Sequence, residues 1–184
     1  MHSFKIEWIP TTASTNSDVV ELAKKFQQKN LVLATDHQSA GRGQFGRKWL
    51  SQPGENLLFS IYFEPAINPS QAFELTQIAC RAIVEVLTHY QICCEIKKPN
   101  DVLVGGKKIC GILTESSSKG NKLEYVVVGI GLNVNSTAET LIPEATSMRI
   151  EKQKHYDRAE VLDKILRAFE IQSSEFCALK EMTK

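Results

Sequence analysis

No apolar run in the chain approaches the ~18 residues that a membrane-spanning helix requires. The opening residues "MHSFKIEWIP" also lack a charged stretch leading into an apolar one, so nothing marks a secretory signal. A cytoplasmic protein with no membrane partner is expected. An excess of either charge is missing too, since 22 Lys+Arg face 21 Asp+Glu for a net charge of +1. A general nucleic-acid binder carries a clear basic surplus, and no nucleic-acid partner is expected. Paired metal-ligand patterns are absent. The five cysteines, Cys80, Cys93, Cys94, Cys110 and Cys177, show no C-x-x-C spacing and sit mostly in apolar runs, which reads as thiols of a reducing compartment. None of the four histidines stands in an H-E-x-x-H pattern, so no protein-held metal is expected. Only His37 lies beside a motif, and it reads as a solvent-facing loop residue. No internal repeat occurs.

What is present fits one core. A chain of 184 residues with 42% hydrophobic content points to a single domain over residues 1–184. Phe4 to Ile9 alternates as a strand, and Thr15 with Asp18 reads as a capping box ahead of Val19, Leu22, Ala23 and Phe26 at helical spacing. Leu31 to Thr35 and Asn56 to Glu64 read as strands on either side of a glycine-rich loop. A long helix follows, with Leu75, Ile78, Ala79, Ala82, Ile83, Val86, Leu87 and Tyr90 on one face. Further strands are expected over Cys93 to Lys97, Asp101 to Val104, Lys107 to Glu115 and Leu123 to Val134. Gly105-Gly106 suits a tight hairpin turn between two of them. Asp157 and Glu160 open a last helix through Val161, Ile165, Leu166 and Phe169. The sum is an α+β fold, a mixed and mostly antiparallel sheet backed by helices.

The loop holds "GRGQFGRKW", with glycines at Gly41, Gly43 and Gly46 in G-x-G-x-x-G spacing. A dinucleotide-binding fingerprint needs a helix to start inside that run. Leu50-Ser51-Gln52-Pro53-Gly54 cannot start one. A protein-kinase hairpin is excluded in turn, because no V-A-I-K, H-R-D or D-F-G follows. What remains is a backbone that can approach a ligand closely, with guanidinium forks for carboxylate or phosphate oxygens and the flat face of Trp49 for an aromatic ring. Two other polar clusters lie downstream. "IKKPND" sets Asn100 and Asp101 just past a proline, and "GKKICGI" puts Lys107 and Lys108 ahead of Gly111, a strand glycine of the sort that marks close approach by another group. Cations, a carboxylate, amides and bare backbone together suggest a nucleotide and a second, acid-bearing substrate.

The order of these segments resembles the biotin protein ligases. "GRGQFGRKW" is similar to that family's G-R-G-R-x-G-R-x-W signature, "ASTN" (residues 13–16) to its S-T-N segment, and "KKPND" to its K-W-P-N-D. "KKICGIL", "GIGLNVN" and "EATSM" (residues 144–148) follow in the family's order. The resemblance implies the biotin and lipoate ligase catalytic fold, related to class II aminoacyl-tRNA synthetases. It also implies ATP-dependent attachment of biotin to a lysine of the biotin carboxyl carrier protein of acetyl-CoA carboxylase, through biotinoyl-5′-AMP. ATP and biotin are then substrates, with Mg2+ arriving on ATP.

Roles follow residue by residue from the same resemblance. Arg42, Lys108 and Asp101 are the catalytic candidates, the cations holding carboxylate and phosphate together and Asp101 taking a proton from the incoming lysine. Ser14, Thr15, Asn16, Gln38, Gly41, Arg42, Gly43, Gln44, Lys108 and Gly111 match biotin-contacting positions. Arg42, Gln44, Arg47, Lys48, Trp49, Lys97, Asn100, Lys108 and Asn133 match positions that serve ATP or the adenylate. Gln44 stands where the family usually has arginine, and Lys98 replaces the tryptophan of K-W-P-N-D. Neither a winged-helix segment nor a C-terminal β-barrel is expected, and homodimerisation through exposed sheet edges is. A lipoate or octanoate ligase and a non-catalytic biotin- or carrier-binding module are the alternatives. The first would need an apolar channel in place of Ser14, Thr15 and Gln38.

Overall fold

A computed structural model describes residues 3–120 and 122–181. Its first strand and helix, β1 (Lys5–Thr12) and α1 (Thr15–Phe26), lead into β2 (Asn30–Gln38), which runs parallel to β1. The chain continues through β3 (Leu57–Phe63), α2 (Ala72–His89), β4 (Glu95–Lys97), β5 (Asp101–Val104), β6 (Lys107–Lys119), β7 (Lys122–Leu132), α3 (Met148–Lys152) and α4 (Arg158–Glu181). The strands form one seven-stranded sheet in the order β1-β2-β3-β7-β6-β5-β4. Every neighbouring pair except β1 with β2 is antiparallel, so the mixed, mostly antiparallel sheet is observed. Among the described residues no helix is long and apolar enough to cross a membrane.

Strand alternation decides what each face of the sheet meets. Leu57, Phe59, Ile61 and Phe63 of β3 and Val126, Val128, Ile130 and Leu132 of β7 join the core beneath α2 and α4, with Leu75, Ile78, Ile83, Ile165 and Phe169 opposite them. Each such side chain contributes ~1.5–3 kcal/mol by leaving water. The other face carries a smaller cluster, in which Val19 and Ala23 of α1 cover Leu31, Leu33, Tyr62 and Val127. Helix α1 packs mainly on β2, β3 and β7. Past Val127 the same face of β7 continues as Gly129 and Gly131. That uncovered stretch is where the site lies.

Three local expectations change. Helix α1 is capped by Ser14, in extended conformation, whose carbonyl accepts the N–H groups of Ser17 and Asp18 at 3.1 Å each. The Thr15–Asp18 capping box does not form, because Thr15 turns to Gln38 and Asp18 accepts from the Thr12 hydroxyl. Strand β6 runs on to Lys119 instead of ending at Glu115, since backbone pairing with β7 carries the polar "SSSK" segment that apolar periodicity could not reveal. His37 is half-buried, with its Nδ1 enclosed, and lies in β2 and not in the loop. The hairpin at Gly105-Gly106 forms as expected, with φ of 54° and 79°. Cys80 and Cys110 are buried thiols, and Cys93 is exposed. Burial pushes the Cys80 thiol up to about 11, with the Asp101 carboxylate adding to it.

Candidate active site

Cross-strand register assembles the floor of the site in rows. In the first row Leu58 of β3, Gly131 of β7, Gly111 of β6 and Asp101 of β5 are successive partners. Ser60, Gly129 and Leu113 make the next row, and Tyr62, Val127 and Glu115 the one after. The glycines leave a bare strip across β6 and β7. A Cβ at Gly131 would lie 2.5 Å from Trp49 Cε2, and one at Gly111 would lie 2.8 Å from Trp49 Cζ3 and 2.9 Å from Lys108 Nζ. One at Gly129 would meet the amide of Asn16. The close approach that Gly111 suggested is therefore made by the indole of Trp49 and by Lys108.

At one end of the strip stands a polar network. Gln38 Oε1 accepts from Thr15 N at 2.9 Å and lies 3.1 Å from Thr15 Oγ1. The buried Ser60 hydroxyl lies 2.7 Å from Thr15 Oγ1 and 2.6 Å from Asn16 Oδ1. An amide oxygen only accepts, so Ser60 donates to Asn16, and Asn16 Nδ2 then faces Leu113 O at 3.2 Å and Glu115 Oε2 at 2.6 Å. Among the described residues Gln38 Nε2 and Ser14 Oγ make no hydrogen bond, although both residues line the cavity. An amide donor and a hydroxyl thus remain for a ligand at this end.

The glycine loop is a small hairpin. Gly43 N donates to Arg47 O at 2.7 Å and Trp49 N to Gly41 O at 2.9 Å, while Phe45 and Gly46 turn the chain at φ of 56° and 73°. Gly41 is needed by the hairpin itself, because a Cβ there would lie 2.6 Å from the Trp49 carbonyl oxygen. Phe45 is 89% exposed at the tip, with the Arg47 guanidinium 5.8 Å from its ring centre. Arg42 reaches across to Glu115, and Trp49 Nε1 is buried without a hydrogen-bond partner.

The cationic end is built by β5 and β6. Lys108 Nζ lies 2.6 Å from Asp101 Oδ1, an ion pair without hydrogen-bond direction, and 5.5 Å from the centre of the Trp49 ring. The backbone of Lys108 is clamped by the "EATSM" segment, donating to Glu144 O at 2.8 Å and accepting from Thr146 N at 3.0 Å. Asn100 is tied to β6 by Nδ2 to Ile112 O at 2.6 Å.

The cavity so formed measures about 130 Å³ and is small because the indole occupies the strip. It brings together Ser14, Thr15, Asn16, Gln38, Arg42, Gly43, Gln44, Arg47, Lys48, Trp49, Asn100, Asp101, Lys108 and Gly111. Gly41 faces an adjoining, wider cavity of about 1090 Å³ under the loop. Lys97 and Asn133 line neither. Lys97 is exposed at the end of β4, and the Asn133 amide is taken by Thr146 O at 3.0 Å. Ser60, Glu115, Gly129 and Gly131 belong to the site and were not singled out by the sequence. Glycine at every second position of "GIGL" was the available signal of a bare strand face. Among the described residues no group of His, Cys, Asp or Glu is arranged to hold a metal ion.

Known proteins are similar to this chain in sequence and fold. The model of the biotin/lipoate A/B protein ligase family matches residues 8–133. The chain is 36% identical over 163 residues to the bifunctional ligase/repressor BirA of Bacillus subtilis, covering 86% of this chain and 50% of that protein. It is 36% identical over 169 residues to the biotin acetyl-CoA-carboxylase ligase of Paracoccus denitrificans, covering 86% of this chain and 68% of that one. The biotin protein ligase from Aquifex aeolicus, solved in complex with biotin and ATP, superposes with a TM-score of 0.77 at 32% identity, over 95% of this chain and 72% of that one. The chain thus spans half the length of the Bacillus relative.

Proposed function

Because the chain belongs to the biotin/lipoate A/B protein ligase family, we propose that it activates biotin with Mg-ATP and transfers it to a lysine of a biotin carboxyl carrier protein, that of acetyl-CoA carboxylase. The observation that carries this reading is the bare glycine strip with unused polar donors at one end and the Lys108–Asp101 pair at the other. Gln38 Nε2 and Ser14 Oγ suit the carbonyl of a ureido ring, and the strip suits a flat, apolar acyl chain. Its carboxylate then meets the cations. In the first step a carboxylate oxygen attacks the α-phosphorus, pyrophosphate leaves, and Lys108 and Arg42 offset charge that builds on the phosphorus oxygens. In the second the carrier lysine, having lost a proton to Asp101, attacks the acyl carbon and AMP leaves.

The deciding assay incubates the protein with Mg-ATP and either biotin or lipoate, and follows pyrophosphate and acyl-AMP. Biotinoyl-AMP alone is expected. Lipoyl-AMP would move the activity to lipoate, and neither product would leave a binding module. The same reading places the protein in the cytoplasm. It also includes a homodimer formed along a sheet edge, for which β1, with Ile6 38% exposed, is available. Sedimentation with biotin and ATP should show that dimer, and a monomer at all concentrations excludes it.

Gln44 sets a further expectation. It lines the cavity at the position where the resembled G-R-G-R-x-G-R-x-W signature has arginine, and glutamine offers a ligand phosphate no charged fork. Replacing a charge-assisted bond by a neutral one forfeits on the order of 1 kcal/mol, roughly a five- to ten-fold change in an equilibrium constant. Gln44→Arg should therefore slow the dissociation of biotinoyl-AMP by about that factor. An unchanged off-rate would show that Arg47 or Lys48 already makes the contact.

A further inference from the structure

A single carboxylate oxygen joins the two ends of the site. Glu115 Oε2 accepts from Asn16 Nδ2 at 2.6 Å and from Arg42 Nη2 at 3.1 Å. Asn16 belongs to α1 and, through Ser60, to the network that orients Thr15 and Gln38. Arg42 belongs to the glycine hairpin. A carboxylate can only accept, so Glu115 obliges Asn16 to present its nitrogen and leaves Asn16 Oδ1 for Ser60. Were the amide to flip, oxygen would face oxygen at both contacts. On the other side, Arg42 commits only Nη2, to Glu115 and to Ser17 Oγ at 3.3 Å. Its Nη1 and Nε make no hydrogen bond among the described residues and keep their N–H groups for a ligand.

We propose that Glu115 is a positioning residue for the first half-reaction, aiming the free N–H groups of Arg42 at an anionic substrate and locking the Asn16 amide that supports the ring end of the pocket. This rests on the biotin-adenylating reading above. Glu115 touches neither substrate, and its effect passes through its two partners. One carboxylate, with its side chain 40% exposed beside an arginine side chain 48% exposed, thereby sets the geometry of both substrate sites.

Substrate titrations of pyrophosphate release separate this role from mere structural support. Glu115→Ala loses both contacts and should raise KM for biotin and for Mg-ATP about ten-fold each, with kcat changed much less, as expected for groups that organise binding. Glu115→Gln is isosteric and keeps an oxygen for Asn16. It should restore KM for biotin while leaving KM for Mg-ATP about three-fold high, because the charged partner of Arg42 is gone. In an Arg42→Ala background Glu115→Gln should have no further effect on KM for Mg-ATP. Normal KM values in Glu115→Gln and Glu115→Ala overturn the proposal, as does a Glu115→Gln effect that persists undiminished without Arg42. Absence of biotin-dependent pyrophosphate release from the parent protein overturns the ligase reading itself, and this inference with it.

Discussion

Lys108→Ala is expected to cut biotin-dependent pyrophosphate release by roughly two to three orders of magnitude, the usual cost of removing one preorganised charge or donor from a developing anion. The loss should fall on kcat, because the charge that Lys108 meets is greatest in the transition state. Arg42, Arg47 and Lys48 line the same cavity but stand on the glycine hairpin and not on β6 beside Asp101. Arg42 is engaged with Glu115, and Arg47 and Lys48 are exposed on the hairpin. The fold should survive, since the Lys108 position is held through its backbone by Glu144 and Thr146. The pair with Asp101 is partly solvated, with side chains 35% and 21% exposed, and such pairs contribute ~0–1 kcal/mol. A folded variant with normal pyrophosphate release would remove Lys108 from the chemistry.

Asp101→Asn should separate the two half-reactions. Adenylate formation asks nothing of the Asp101 carboxylate, and without it Lys108 loses a competitor for the phosphate. Adenylation should therefore proceed at a rate close to that of the parent. Transfer to the carrier lysine needs an uncharged amine, and an amide cannot take the proton. General-base loss of this kind costs ~10²- to 10⁴-fold. Single-turnover transfer from preformed biotinoyl-AMP measures it directly. Equal losses in both steps would instead make Asp101 a holder of Lys108, the role its 2.6 Å contact supports.

Local rules made much of this fold legible. Gly105-Gly106 specified its hairpin because a two-residue turn with positive φ is a property of those residues alone. The apolar face of α2 was equally plain, as periodicity reports burial on one side. The α1 cap was misread for a tertiary reason, because Thr15 answers to Gln38, 23 residues away, and not to its own helix. Convergence of Ser14, Gln38, Trp49 and Lys108 on one cavity came from the order of familiar motifs, which carries information that composition does not. Asn133 lines neither cavity, and its Nδ2 donates to Thr146 O. Glu115 was invisible for another reason. A lone carboxylate on a long strand acquires meaning only when register and helix packing bring Asn16 and Arg42 to the same oxygen.

The indole of Trp49 lies across Gly111 and Gly131 and covers the apolar floor of the site. Association normally announces buried apolar surface through a negative change in heat capacity. Here that signal depends on what becomes of the displaced ring. A ligand that ejects the indole into solvent merely exchanges one covered surface for another, and the heat capacity stays nearly constant. A ligand that slides beneath the indole and keeps it as a roof buries both of its own faces, and the heat capacity falls steeply. Calorimetry at several temperatures would therefore tell a plug from a roof where affinity alone would not.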